Sequence, residues 1–308
     1  MNTLLLPALL AALSAYAAPT YSPQTDLRSL RLDIESFTPT VEKLAATPLA
    51  PDQIPALSRL LENSLSQGSA ASLSGQTIGA EIAAASAAMA AAFKGGPESA
   101  ERRIGTLGAL VQTQRQRHQK TADLFAGTKD QVSALLKKDP KAPGDALLHQ
   151  AADELSQSDR SLRELERKLA AMDEQSAIMR SDAQSAQGSQ DESQQALNAL
   201  AKNEAAMHSL ASEVQSAFAN LISEPFELSR AKADQKRWAF LTEARGVYQS
   251  ADVFFHREDD FRRKQKKFSK AWRRFDADCR AFPDGISEAG AHLDRVETLL
   301  NQIQAMPL

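Results

Sequence analysis

A seven-residue period of apolar side chains runs through the last third of the chain. Phe226, Ala233, Phe240, Val247, Phe254, Phe261, Phe268, Phe275 and Phe282 follow one another at intervals of seven and hold seven of the twelve phenylalanines. A strand alternates every two residues and cannot keep such a series on one face, whereas an α-helix nearly can. Because a heptad differs slightly from two helical turns, holding it this long implies a left-handed supercoil. A helix over residues 229–281 would span about 80 Å at 1.5 Å per residue. The period predicts an interior seam of Phe240, Phe254, Phe261, Phe268, Phe275 and Phe282. It needs a facing surface of small residues, and the Ala-rich stretches 183–217 and 80–92 supply one.

The remainder of the chain reads the same way. Leu148, Leu155, Leu162 and Leu169 take one heptad position. Ala151, Leu165, Met172 and Met179 take the partner position three residues on, with Ser158 its one polar member. This 3–4 alternation is what two helices need to bury a common seam. Leu200, Met207, Val214 and Leu221 extend the pattern. β-branched residues are sparse, so a sheet has little to be built from.

Local punctuation divides these runs. Pro39 is expected to interrupt a first helix over 26–37. A second helix starts near Asp52, and the small-residue segment 66–96 follows it. Gly95-Gly96-Pro97 reads as a stop and a new start. The run "KDPKAPGD" at 138–145 reads as a connector. Gly188-Ser189 with Glu192 reads as a helix end followed by a capping box. "SEPF" at 223–226 marks a break or a proline-permitted start, and "FPDG" at 282–285 is expected to end the long segment before a last amphipathic helix. The fold expected is an all-α, elongated antiparallel helical bundle with coiled-coil character, its long helices joined by short loops. Residues 18–96 would form shorter helices and 97–308 the long-helix bundle, continuous with them.

Residues 1–17, "MNTLLLPALLAALSAYA", have an apolar core of signal-peptide length and a small-x-small site at Ala15-Tyr16-Ala17. They read as an export leader, which would place the mature protein in the periplasm or outside the cell. There is one cysteine, Cys279, so no intrachain disulfide can form. It shares a helical face with the phenylalanines and reads as a small buried apolar group. With 36 basic and 39 acidic residues, overall charge does not point to nucleic acid.

The five histidines are scattered, and no phosphate-binding glycine loop, nucleophile elbow, calcium loop or zinc pair is spelled out. No catalytic, cofactor or metal residues are assigned, and the chain is read as non-enzymatic. Asp252, His256 and Asp260 fall on one helical face at i, i+4, i+8, where ion pairing with nearby Arg263 competes with any metal.

The residues that stand out are basic. Arg262, Arg263, Lys264, Lys266, Lys267, Lys270, Arg273 and Arg274 fall within thirteen residues that contain no acid. They lie opposite the phenylalanines, and Trp272 projects with the rings. Single-stranded nucleic acid needs aromatics and cations on one surface, so this separation argues against it. Such a face can hold a polyanion or an anionic membrane by charge. It can also pair inside the protein, since residues 153–192 carry ten acidic against five basic residues. The expected function is that of an exported helical scaffold or binding protein of the cell envelope or extracellular space. It would act through a protein partner or self-association along the coiled-coil helices. The alternative is a membrane-active, pore-forming type of protein using the Ala-rich segment and the basic helix.

Overall fold

The computed structural model describes residues 24–93, 99–138, 144–223 and 225–306. The leader, Gly95-Gly96-Pro97 and residues 139–143 of the connector lie outside the described residues. The chain is an all-α helical bundle. Its helices are α1 (Gln24–Ala46), α2 (Ile54–Ala91), α3 (Ala100–Lys138), α4 (Gly144–Ser223) and α5 (Phe226–Gln304), with a 3-10 turn at Pro51–Gln53. α4 and α5 are 80 and 79 residues long. The chain divides into two compact units, one from residues 19–89 and 182–268, the other from 90–181 and 269–308.

The first unit packs α1, α2, the later part of α4 and the earlier part of α5. Leu30, Ile34, Phe37, Val41 and Leu44 of α1 recur at helical spacing and are all buried. On α2, Leu57, Leu61, Ala71, Ile78, Ile82 and Met89 form the inward face, so the Ala-rich segment is seated in the core along one side. α2 comes very close to α4 at two glycines. A Cβ at Gly75 would lie 2.9 Å from one methyl of Leu197, and a Cβ at Gly79 would lie 2.4 Å from the other. Leu197 thus fills a hole made of glycine. Antiparallel pairing is fixed by Ser69 with Glu204 and Ser86 with Gln187 on α2 and α4. Lys236 with Glu213 and Arg257 with Glu192 do the same for α5 and α4.

The second unit packs α3 with the earlier part of α4 and the later part of α5. Leu162, Leu165, Met172 and Met179 are buried, as are Phe275, Phe282, Ile286, Leu293 and Val296. Val132, Leu148, Ala151, Leu300 and Ile303 close one end of this core. The polar heptad position, Ser158, is buried and donates to the carbonyl of Ala289 at 3.3 Å. Its hydroxyl is satisfied, so it interrupts the seam chemically but not geometrically.

Three expected breaks are absent. Pro39 lies inside α1. Proline removes one amide donor from the helix ladder. Here Ser36, Thr38 and Thr40 donate their hydroxyls to the carbonyls of Asp33, Ile34 and Ser36 in the surrounding turns. Phe37 and Val41 are buried on either side and hold the helix together across the proline. Gly188-Ser189 lies inside α4 without a stop. Ser189 does not cap a new helix; its hydroxyl donates to Asp260 at 2.5 Å and accepts from Lys264 at 2.7 Å. Pro283 lies inside α5, so "FPDG" does not end the segment and the last amphipathic stretch is its continuation. Cys279, Phe282 and Ile286 are buried around it. Gly285 admits Leu165, whose nearest methyl is 2.8 Å from where a Cβ would stand.

Candidate anionic-partner surface

All six rings of the phenylalanine seam are buried, Phe240, Phe254, Phe261, Phe268 and Phe275 fully and Phe282 to 2% exposure. That orientation of α5 fixes the opposite side. Residues 262, 263, 266, 267, 270, 273 and 274 are exposed and Lys264 is half-buried.

In the first unit most of these cations are engaged. Arg262 pairs with Asp259 at 2.8 Å, and Arg263 lies 3.5 Å from Asp260. Lys264 pairs with Asp260 at 2.7 Å and donates to the carbonyl of Ser185. Lys267 reaches across to Asp182 of α4 at 2.8 Å. Hydrogen bonds from Lys264 and then Ser189 hold the Asp260 carboxyl below its usual range. Arg262 does the same for Asp259. The acidic bias of the neighbouring helix therefore takes one cation. The two aspartates that immediately precede the run take three more, and a count confined to the run itself misses them. Lys266 has no ion-pair partner among the described residues.

The second unit differs. Lys270, Arg273 and Arg274 stand at i, i+3 and i+4 on one exposed stripe, and among the described residues none is in an ion pair. On the inward face of the same turns, Trp272 and Phe275 pack with ring centroids 5.6 Å apart. Arg103 of α3 is fully buried there, donating to Asp276 at 2.8 Å with its guanidinium 5.6 Å from the Phe275 ring. Arg280 holds the other oxygen of Asp276 at 2.7 Å. Asp276 is thus committed to Arg103 and Arg280, and the three cations of the outward stripe form no ion pair among the described residues. Cys279 is buried beside this pair, and burial pushes its thiol up to about 12. It is the small apolar group its place on the Phe face suggests, since the reactive form is the thiolate.

The other candidates resolve into ordinary pairing. His256 lies 3.9 Å from Asp252, while Asp260 turns to Lys264 and Ser189, so the i, i+4, i+8 carboxylates do not converge with the imidazole. A cluster invisible in sequence joins Ser69 to Glu204 at 2.9 Å and to His208 Nε2 at 2.8 Å across 135 and 139 residues. Glu204 lies 3.1 Å from that same nitrogen. Acid and hydroxyl share one ring nitrogen, whereas a hydrolytic relay needs them on opposite nitrogens. Among the described residues no group of three or more His, Cys, Asp or Glu could hold a metal ion. No helix of the described residues is long and apolar enough to cross a membrane. Comparison with protein-family models, with curated proteins and with solved structures finds no match to this chain.

Proposed function

We propose that this chain is a non-enzymatic, exported helical scaffold that holds an anionic partner on the basic stripe of α5. The observation that carries the reading is the contrast along that helix. Arg262, Arg263, Lys264 and Lys267 are taken up by Asp259, Asp260 and Asp182, while Lys270, Arg273 and Arg274 are exposed without an ion-pair partner among the described residues. A stripe of three cations on a rigid helix suits a surface dense in phosphate or carboxylate. Each cation near an anionic membrane contributes about 1 kcal/mol, so three are worth roughly a hundredfold in affinity. Export follows from the leader reading, with the mature chain starting at about Ala18. Mass spectrometry of protein from its native host reads that start directly.

The test is binding of the purified mature chain to phosphatidylglycerol vesicles and to polyphosphate at low salt. Binding that weakens with added salt and falls on the order of a hundredfold in the Lys270→Gln/Arg273→Gln/Arg274→Gln variant supports the reading. Vesicle binding without polyphosphate binding identifies a membrane partner. Release of vesicle contents would favour the membrane-active alternative. No binding by the wild type to either probe sinks the proposal.

A further inference from the structure

In the first unit a cleft of about 620 Å³ opens between α1 and α5. That volume lies within the range of small-molecule sites. Its two walls differ in how their charges are used. The acids of the cleft, Asp252, Glu258 and Asp259, all come from α5, and each has a partner on the same helix. Asp259 lies 2.8 Å from Arg262 and 3.9 Å from Arg263, Glu258 lies 4.0 Å from Arg262, and Asp252 lies 3.9 Å from His256. α1 supplies Leu27, Arg28 and Arg31 and no acid. Arg28 and Arg31 are exposed, three residues apart on one helical face, and neither is in an ion pair among the described residues. The Arg31 guanidinium lies 5.6 Å from the ring centroid of Phe255, a lining residue of the α5 wall, which anchors it over the cleft.

We infer that this cleft binds a phosphate monoester, the terminal phosphate of a small phosphorylated molecule, between Arg28 and Arg31. With His256 neutral the lining carries three charges of each sign, so their number does not choose a ligand. Their pairing does. A cation, or the cationic end of a zwitterion, would have to draw Asp259 away from two arginines or reach Glu258, whose side chain is only 4% exposed. Asp252 is left, a single exposed carboxylate beside a histidine, and such a site holds a cation weakly. The two guanidiniums of α1 can act together on one anion. A phosphate monoester carries about −1.5 to −2 charges at pH 7 and three terminal oxygens, enough for two guanidinium forks at once. A carboxylate, with one charge and two oxygens, is filled by one fork. Leu27 and Phe255 are half-buried in the cleft walls and offer an apolar surface to the organic part.

The test is calorimetric titration of the full chain at pH 7 and low salt with phenyl phosphate, inorganic phosphate, benzoate and phosphocholine. The Lys270→Gln/Arg273→Gln/Arg274→Gln variant serves as a second host, so that the cleft and the stripe of α5 are read separately. Phenyl phosphate should bind saturably and equally well to both hosts. Inorganic phosphate, which lacks an organic part, should bind more weakly. Benzoate has the ring with half the charge, and the trimethylammonium group of phosphocholine meets carboxylates that are already paired. Each should bind at least about tenfold more weakly than phenyl phosphate. Arg28→Gln and Arg31→Gln should each weaken phenyl phosphate binding about tenfold with unchanged helicity. The inference is overturned if phenyl phosphate does not bind, if any of the other three probes binds as tightly, if the stripe variant loses the binding, or if Arg28→Gln and Arg31→Gln bind like the wild type.

Discussion

A buried ring and an exposed cation on the same helix differ in what their removal leaves behind. Phe240 and Phe275 are fully buried, one in each unit. Truncating either removes its transfer free energy and leaves a cavity that neighbours fill only in part. Phe240→Ala and Phe275→Ala should each cost about 3–5 kcal/mol in chemical denaturation. Phe275 has a further duty, since Arg103 packs over its face with Nε and Nη1 making no hydrogen bond. Loss of the ring leaves that guanidinium with Asp276 as its one ion-pair partner, so Phe275→Ala should fall at the upper end. Arg273 is exposed with no ion-pair partner among the described residues, and Arg273→Ala should change stability by no more than about 0.5 kcal/mol. Similar small losses for all three would mean that the rings do not hold the core.

At the level of the helix, glycine tests which force sets continuity. Gly188 sits within α4 with nothing within 4 Å of where its Cβ would be. Gly188→Ala should therefore stabilise the chain by about 0.4–1 kcal/mol, through helix propensity and a less flexible unfolded state. Gly79→Ala should do the opposite, because about 1–3 kcal/mol of overpacking against a methyl of buried Leu197 outweighs the same propensity gain. Urea midpoints for the two variants should move in opposite directions, and a shared direction would refute one of the two accounts. The same pair explains what could be read in advance. The heptads of α4 and α5 were legible because burial repeats over many turns and leaves a period in the residues themselves. The breaks at Pro39, Gly188 and Pro283 were misread because a breaker acts locally, by about 1 kcal/mol for glycine and 3 for proline, while a packed face on both sides outweighs it. The pairing of Lys267 with Asp182 could be anticipated only as a bias, since a helix neighbour's register is absent from composition. Ser69, Glu204 and His208 could not be anticipated at all. Their meeting depends on the register of α2 against α4, where Gly68, next to Ser69, packs on Met207 between Glu204 and His208.

Across the whole molecule the ion pairs give one shared response to acid. Contact with His292, and then with Arg295, holds the Glu154 carboxyl below its usual range against the opposing effect of burial. Arg115 lowers Glu166, Arg262 lowers Asp259, and Lys264 lowers Asp260. A carboxylate whose folded pKa lies below its unfolded value stabilises the fold fully above the unfolded value, about 4, and loses that contribution as pH falls through the folded one. Stability should therefore change little on these groups' account between about pH 7 and 5 and decline below about pH 4. Salt should separate them. Glu166 and Asp259 are 46% and 50% exposed, so their pairs are screened and worth little. Glu154 is 21% exposed and meets His292, itself 11% exposed, at 2.5 Å, where screening is weaker. In about 0.5 M salt the acid-induced loss should shrink but persist. Glu154→Gln should then remove more of what persists than Asp259→Asn does. Urea titrations at pH 5 and pH 3 with and without salt measure all three quantities. A stability that is flat or rising below pH 4 would show that these carboxylates are no better held in the fold than in the unfolded chain.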